Sequence, residues 1–339
     1  MNPASVLGEK ILAHAIGLHA SDIHFYPFAA ETKIYIRVHG KRIFYLAVPT
    51  IQYELLLTYY KFTSGMDIGE TRKPQNGVLF HQTPTNRYHL RLSTLPVNKN
   101  ESLAIRLLPQ EKNIALKNAF LFPYQLKKLQ QWMQYRAGLI LFTGPTGSGK
   151  TSTLYALLQS VIQDGSYQTI TLEDPIEKDL SDILQVQINE KAGITYQAGL
   201  KAALRHDPDI IMVGEIRDDY TAQFAFEASL TGHLVLSTLH AKNAQGTIGR
   251  LLEMGLKAGD LEQSLIGIAS LQLLPLHFAN KAQGRAAIME TLDGDDLQRI
   301  ILQYNKAFRP LAKSFNHLRK KAYAYGYISN EEIQKKWSE

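Results

Sequence analysis

The feature that most narrows what this chain can fold into is the turn Gly144-Pro145-Thr146-Gly147-Ser148-Gly149-Lys150-Thr151, which satisfies G-x-x-x-x-G-K-[ST] at each fixed position. A loop that wraps a phosphate must aim its backbone N–H groups inward, and a Cβ at the glycine positions would block that path. The pattern has a physical context: an apolar strand leads in, and a helix leads out with the positive end of its dipole facing the anion. Residues 139–142, Leu-Ile-Leu-Phe, predict the strand, and residues 151–163 predict the helix. The cradle then comprises Gly144, Pro145, Thr146, Gly147, Ser148, Gly149, Lys150, Thr151 and Thr153. In such a site the lysine reaches the β and γ phosphates of ATP, and the Thr151 hydroxyl binds Mg2+.

An enzyme built on this loop needs a carboxylate for the metal and another to orient water, both at the C-terminal edges of sheet strands. The apolar run Ile210-Ile211-Met212-Val213 ends in Gly214-Glu215-Ile216-Arg217-Asp218. A second run, 169–172, ends in Glu173-Asp174-Pro175-Ile176-Glu177, where Pro175 stops the strand and is expected to turn three carboxylates to one edge. Either segment alone reads more readily as an acidic, solvated loop. Together, beside a phosphate loop, they place Glu215, Glu173 and Thr151 as candidate Mg2+ contacts, direct or through water.

The same texture organises the rest of the chain. Short apolar runs at 139–142, 169–172, 184–188, 210–213, 234–237 and 286–289 alternate with helical segments, the signature of a mostly parallel sheet with crossover helices. This catalytic domain is expected over 120–292. Residues 1–110 read differently: Lys33-Ile34-Tyr35-Ile36-Arg37-Val38 and Tyr88-His89-Leu90-Arg91-Leu92 alternate with period two, and 6–18 and 53–62 are helical. They predict a smaller α+β domain. A linker is expected at 111–119, after Pro109, and a short helical tail at 293–339.

The net charge is +6, unevenly spread: residues 1–113 hold 13 Lys and Arg against 8 Asp and Glu, while the nucleotide-handling middle is acidic. A nucleic-acid enzyme often carries its positive charge around the catalytic channel, so direct nucleic-acid binding is not expected. The basic excess suits an acidic partner, an anionic membrane surface or solubility alone. With no cysteine, disulfides and thiolate zinc sites are excluded. The first helix contains Glu9, Lys10 and His14 and lacks a signal peptide's apolar stretch, and no run of about 18 apolar residues occurs. A cytoplasmic protein, peripheral at the inner face of the membrane, is expected.

With these motifs in this order, the chain resembles the secretion ATPases of type II secretion, type IV pili and competence pseudopili, over about residues 21–290. Besides the phosphate loop, the match covers Thr171-Leu172-Glu173-Asp174-Pro175-Ile176-Glu177, the segment 209–218, and Thr231-Gly232-His233-Leu234-Val235-Leu236-Ser237-Thr238-Leu239-His240. In the N-terminal half it covers Ala20-Ser21-Asp22-Ile23-His24-Phe25-Tyr26-Pro27, Arg91-Leu92-Ser93-Thr94-Leu95-Pro96 and Arg106-Leu107-Leu108. The resemblance implies a RecA-like ATPase domain with a PAS-like N-terminal domain. It makes Glu177 the base that activates water and puts Glu215 at the metal. It sets His233 and His240 near the phosphates, and it brings Arg91 and Arg106 to the γ-phosphate, where a guanidinium neutralises developing charge. Read without it, each histidine is a packing residue and each arginine part of a solvated face.

The same resemblance implies a homo-hexamer acting on an inner-membrane platform protein, and is nearest to the competence-pilus assembly ATPase. The chain differs from the larger secretion ATPases in having no four-cysteine zinc insertion and no extra N-terminal docking domain. It also reads Ser270-Leu271-Gln272-Leu273-Leu274 where the family often has Gln-Arg-Leu. Three rival readings are a pilus-retraction motor, a ring-shaped nucleic-acid translocase and a scaffold that binds ATP without turnover. Intact Lys150, Glu177 and Glu215 oppose the scaffold. The absence of aromatic-interleaved basic stretches in the catalytic half opposes the translocase.

Overall fold

The computed structural model describes residues 3–38, 40–84, 86–97, 100–110, 116, 119–164, 167–278, 281–304 and 314–334. The chain divides into two compact units, Met1–Lys112 and Asn113–Glu339. Of the linker expected at 111–119, residues 111–115 and 117–118 lie outside the described residues, as do 305–313 and 335–339 of the expected tail.

In the first unit, α1 (Pro3–Gly17) precedes β1 (Asp22–Pro27), β2 (Glu31–Val38) and β3 (Lys41–Pro49), and α2 (Thr50–Thr63) precedes β4 (Gln75–Gln82), β5 (Arg87–Val97) and β6 (Asn100–Gln110). They form one antiparallel sheet ordered β3-β2-β1-β6-β5-β4. Period-two alternation sends Ile23, Phe25, Ile34, Ile36, Leu90, Leu92, Leu103 and Ile105 into a core shared with Ile11, Leu12, Tyr53, Leu56 and Tyr60 of the two helices. The opposite face carries Arg37, Arg91 and Arg106 together with the aromatic rings of Tyr26, Tyr35 and Phe44. Inside the unit, the Lys61 ammonium meets the Glu101 carboxylate at 2.5 Å and donates to the Glu70 carbonyl at 2.7 Å.

The second unit opens with α3 (Pro123–Trp132), β7 (Gly138–Thr143) and α4 (Lys150–Asp164), followed by β8 (Thr169–Glu173), β9 (Leu184–Gln187) and α5 (Tyr196–Ala203). Next come β10 (Ile210–Ile216), α6 (Asp219–Leu230), β11 (Leu234–Leu239), α7 (Ala244–Glu253) and α8 (Ala258–Ser264). The hairpin β12 (Leu265–Phe278) and β13 (Lys281–Asp293) is followed by α9 (Gly294–Gln303), α10 (Phe315–Ala324) and α11 (Asn330–Gln334). The sheet order is β13-β12-β7-β11-β10-β8-β9, parallel except for β13. Leu139, Leu141, Ile211, Val213 and Val235 pack on α6, α7 and α8, whereas Ile140, Phe142, Met212 and Leu236 pack on α3 and α4. Both faces are thus covered by helices, which is why these strands read as unbroken apolar runs.

The helices beyond 293 do not stand apart as a tail. Leu297 and Ile301 of α9 belong to the main core. Buried Glu290 accepts from the backbone N–H of Ala244 at 3.0 Å and of Phe315 at 3.1 Å, fastening α7 and α10 to β13. Among the described residues no helix is long and apolar enough to cross a membrane.

Candidate nucleotide site

Because the strands are parallel, β7, β8, β10 and β11 all finish at one edge of the sheet, and the loops leaving them converge there. The turn 144–149 leaves β7 at this edge. Gly144, Gly147 and Gly149 hold φ of 138°, 78° and 92°, values that L side chains avoid. A Cβ on Gly144 would stand 2.5 Å from the Leu271 carbonyl oxygen, so both conformation and space demand glycine. Lys150 begins α4 and curls over the turn, donating to the carbonyls of Gly144 at 2.9 Å and Pro145 at 3.2 Å. Burial pulls its pKa below the usual lysine value, against the opposing pull of Glu215 and Glu177. The Ser148 Oγ is buried without a partner among the described residues. Thr153, also buried, ties back through its N–H to the Gly149 carbonyl at 2.9 Å.

Glu215 sits near the end of β10, where the pairing with β11 slips between Val213 and Ile216. One carboxylate oxygen lies 2.9 Å from His240 Nε2, and the other accepts from Arg217 Nε at 2.7 Å. The other ring nitrogen of His240, Nδ1, is 3.4 Å from Lys150 Nζ. Arg217 also reaches Asp174, through its carboxylate at 3.1 Å and its carbonyl at 3.2 Å. A continuous polar chain therefore runs Lys150, His240, Glu215, Arg217, Asp174 across the loops that follow β7, β11, β10 and β8. Arg217 was not among the expected site residues. Its signal was present, because Glu215 and Arg217 are two apart on an extended segment and share a face.

The three carboxylates after β8 part company instead of facing one way. Glu173 is 2% exposed, and both its oxygens meet protein donors: Thr171 Oγ1 at 2.5 Å and Gln185 Nε2 at 3.0 Å on one, the Tyr155 hydroxyl on the other. Burial raises its pKa despite those donors. Glu173 was expected at Mg2+ directly or through water; the direct contact is corrected, because protein donors inside the fold engage both of its oxygens. Asp174 turns to Arg217. Glu177 is exposed, with its N–H 3.4 Å from the same Tyr155 hydroxyl. Tyr155 thus joins α4 to both acidic positions.

His233 differs from expectation as well. It precedes β11, and its carbonyl accepts from the Gly138 N–H at 3.1 Å at the start of β7. That is the opposite edge of the sheet, one strand length or roughly 20 Å from the phosphate loop at about 3.3 Å per residue. Its ring meets Thr231 Oγ1 at 2.8 Å. Of the two histidines only His240 joins the site within this unit. Arg91 and Arg106 lie in the first unit, paired across β5 and β6 on the face away from its core.

Mg2+ prefers oxygen ligands and keeps several waters, so it needs a hydroxyl, a carboxylate and phosphate oxygens rather than a protein cage. The described residues contain no cluster of three or more His, Asp or Glu suited to a metal, but Thr151 and Glu215 at a phosphate cradle fit this ion. Within the segment 270–274, Leu271 is buried in the core and Leu273 packs against it. Arg319 of α10 reaches Gln272 at 3.1 Å, and both line a cavity of about 430 Å³ beside residues 145–148.

The model of the Type II/IV secretion system protein family matches residues 2–324. The chain belongs to that family. Competence protein ComGA of Bacillus subtilis is 42% identical over 314 residues, covering 89% of this chain and 88% of that protein. Type II secretion system protein E of Pseudomonas aeruginosa is 40% identical over 273 residues, which are 80% of this chain and 54% of the longer relative. Among solved structures, the pilus retraction motor PilT with bound ADP superposes with a TM-score of 0.77 at 28% identity, covering 97% of this chain and 96% of that one. This secretion-system family member thus shares its architecture with a nucleotide-binding motor across nearly its whole length.

Proposed function

We propose that this chain is an ATP-hydrolysing motor that powers assembly of a competence or type IV pilus-like filament. It works as a homo-hexamer at the cytoplasmic face of the membrane against a platform protein. The observation that carries the reading is the polar chain from Lys150 through His240 to Glu215, built where the phosphate loop and the acidic strand end meet. Lys150, released from the carbonyls of its own turn, holds the β and γ phosphates. The N–H groups of the turn take the remaining phosphate oxygens. Thr151 and Glu215 would hold Mg2+, which when bound would neutralise charge developing on the phosphates. Glu177, exposed and flanked by the Tyr155 hydroxyl, takes the proton of the attacking water. Glu173 supports that arrangement by anchoring Tyr155. Arg91 and Arg106 neutralise charge developing on the γ-phosphate.

His240 couples the two ends, because its ring nitrogens face the phosphate-binding lysine and the metal-side carboxylate at once. The likeness to a pilus retraction motor favours one second reading, the same chemistry driving filament withdrawal. A strain lacking the chain distinguishes them: loss of surface filaments supports assembly, and an excess supports withdrawal. The chemistry itself is tested by Glu177→Gln. Turnover should fall by about 10²-fold or more while ATP affinity stays within a few-fold. Loss of binding, or full turnover, would remove Glu177 from the role of base.

A further inference from the structure

The segment Ser21-Asp22-Ile23-His24 is absorbed by neither the phosphate cradle nor the acidic edge, yet Asp22 occupies an unusual place. Antiparallel register sets Arg42 opposite Arg37, Arg37 opposite Asp22, Asp22 opposite Arg106, and Arg106 opposite Arg91. Cross-strand partners share a face. One row across β3, β2, β1, β6 and β5 therefore carries four arginines and a single carboxylate. The neighbouring positions Ile23, Ile36 and Ile105 lie on the buried face, which fixes the row on the outer one.

Asp22 is nearly buried, 8% exposed, beneath these long side chains. Its Oδ1 accepts from Arg106 Nε at 2.9 Å. Its Oδ2 accepts from Ser21 Oγ at 2.8 Å and lies 3.7 Å from Arg37 Nε. Burial pushes the carboxyl pKa up, but the hydrogen bonds from Arg106 and Ser21 outweigh it and hold the group below its usual value. Asp22 therefore remains charged at neutral pH. The bond to Arg106 is made by Nε, the inner nitrogen of the guanidinium. The two terminal nitrogens of Arg106 have no partner among the described residues, and its side chain is 65% exposed.

From this geometry we infer that Asp22 is a positioning residue: it grips Arg106 by Nε and thereby presents the terminal N–H pair as a fixed fork for a phosphate. A free arginine has rotamer entropy to lose on binding. Fixing the inner nitrogen removes part of that loss beforehand and sets the plane in which the fork approaches. Arg37 is the reserve cation. When Arg106 leans toward phosphate, Arg37 keeps Asp22 from becoming an uncompensated, nearly buried charge. The inference rests on the reading that Arg106 acts on the nucleotide, and adds the residue that aims it.

The test is a double-mutant cycle on full-length, assembled protein, reading kcat and KM for Mg-ATP hydrolysis. Asp22→Ala should lower kcat about tenfold with KM within about threefold, the pattern of an interaction made in the transition state. Asp22→Asn, which keeps an acceptor without the charge, should fall between Asp22→Ala and the parent. In Asp22→Ala/Arg106→Ala, turnover should be no lower than in Arg106→Ala alone, because a grip on an absent side chain does nothing. Multiplying losses would mean that Asp22 acts on the sheet and not through Arg106, and would overturn the inference. So would full turnover in Asp22→Ala when Arg106→Ala is impaired. Full turnover in Arg106→Ala would remove the underlying reading and this inference with it. Unfolding midpoints of all four proteins separate a general loss of structure from a loss of aim.

Discussion

Each unit of this molecule holds a close contact between a cation and a carboxylate, and the two contacts serve opposite ends. In the first unit Lys61 and Glu101 are 2% and 4% exposed at 2.5 Å. In the second, Arg217 and Glu215 are 54% and 22% exposed at 2.7 Å. Similar chemistry at similar distance therefore operates in different media. A buried pair is costly to break because the survivor is left as an unpaired charge. A pair at the surface contributes little to folding and keeps its side chains able to change partners, as a nucleotide site requires. Burial separates the two ion pairs more clearly than distance does.

That contrast can be broken by experiment. The largest effect on stability is expected from Lys61→Met, which strands Glu101: the first unit should lose about 3–5 kcal/mol. Its melting should move well below that of the second unit in calorimetry. An unchanged trace would mean that Glu101 finds another partner or is neutral in the fold. Arg217→Ala should do the reverse. Turnover should fall roughly tenfold, as when one preorganised electrostatic contact is lost, while the unfolding midpoint shifts by no more than about 1 kcal/mol allows. If Arg217→Ala instead unfolds the second unit, the distinction drawn from exposure fails.

A pH scan sharpens the comparison between the units. His89 is buried on β5, stacked on Phe80 with ring centroids 5.1 Å apart, and neither ring nitrogen has a partner among the described residues. Burial depresses its pKa to about 4. The unfolded chain then binds a proton near pH 6.5 that the folded chain refuses until about pH 4, so stability of the first unit should decline as pH falls through that window. His89→Leu should flatten the slope, which melting curves at pH 7 and pH 5 would read. The smallest effect is expected at Asp218, which caps α6 by accepting from the Thr221 N–H at 2.8 Å and whose pKa is lowered chiefly by that bond. Asp218→Ala should cost the second unit about 1 kcal/mol at pH 7. A depressed carboxyl pKa contributes above its unfolded value, so the difference should fade as acid protonates the native carboxyl.

Much of this was legible before any coordinates. The strand and helix around the phosphate loop, the runs that become β8, β10 and β11, and the alternation of β2 and β5 are local patterns, set by residues a few positions apart. β12 escaped notice for a physical reason. Its sequence, Leu-Ile-Gly-Ile-Ala-Ser-Leu-Gln-Leu-Leu-Pro-Leu-His-Phe, lacks period two because the strand is covered on both faces through much of its length. It also contains Pro275, beside a register shift. Glu173 was placed by its position at a strand end and His233 by the resemblance, and neither reveals whether a side chain turns inward or at which edge of the sheet a strand begins.

The amino-acid sequence by itself determined that a glycine-rich turn would stand between a strand and a helix at 144–151 and that acidic groups would follow two strands, because those demands fall on adjacent residues. Only the tertiary structure decided which of them meet. Parallel pairing brings Lys150, His240, Glu215 and Arg217 to a common edge, and antiparallel register lines up Arg42, Arg37, Asp22, Arg106 and Arg91. Both are contacts between residues far apart along the chain, and register, unlike a loop motif, is set by the packing of the whole sheet.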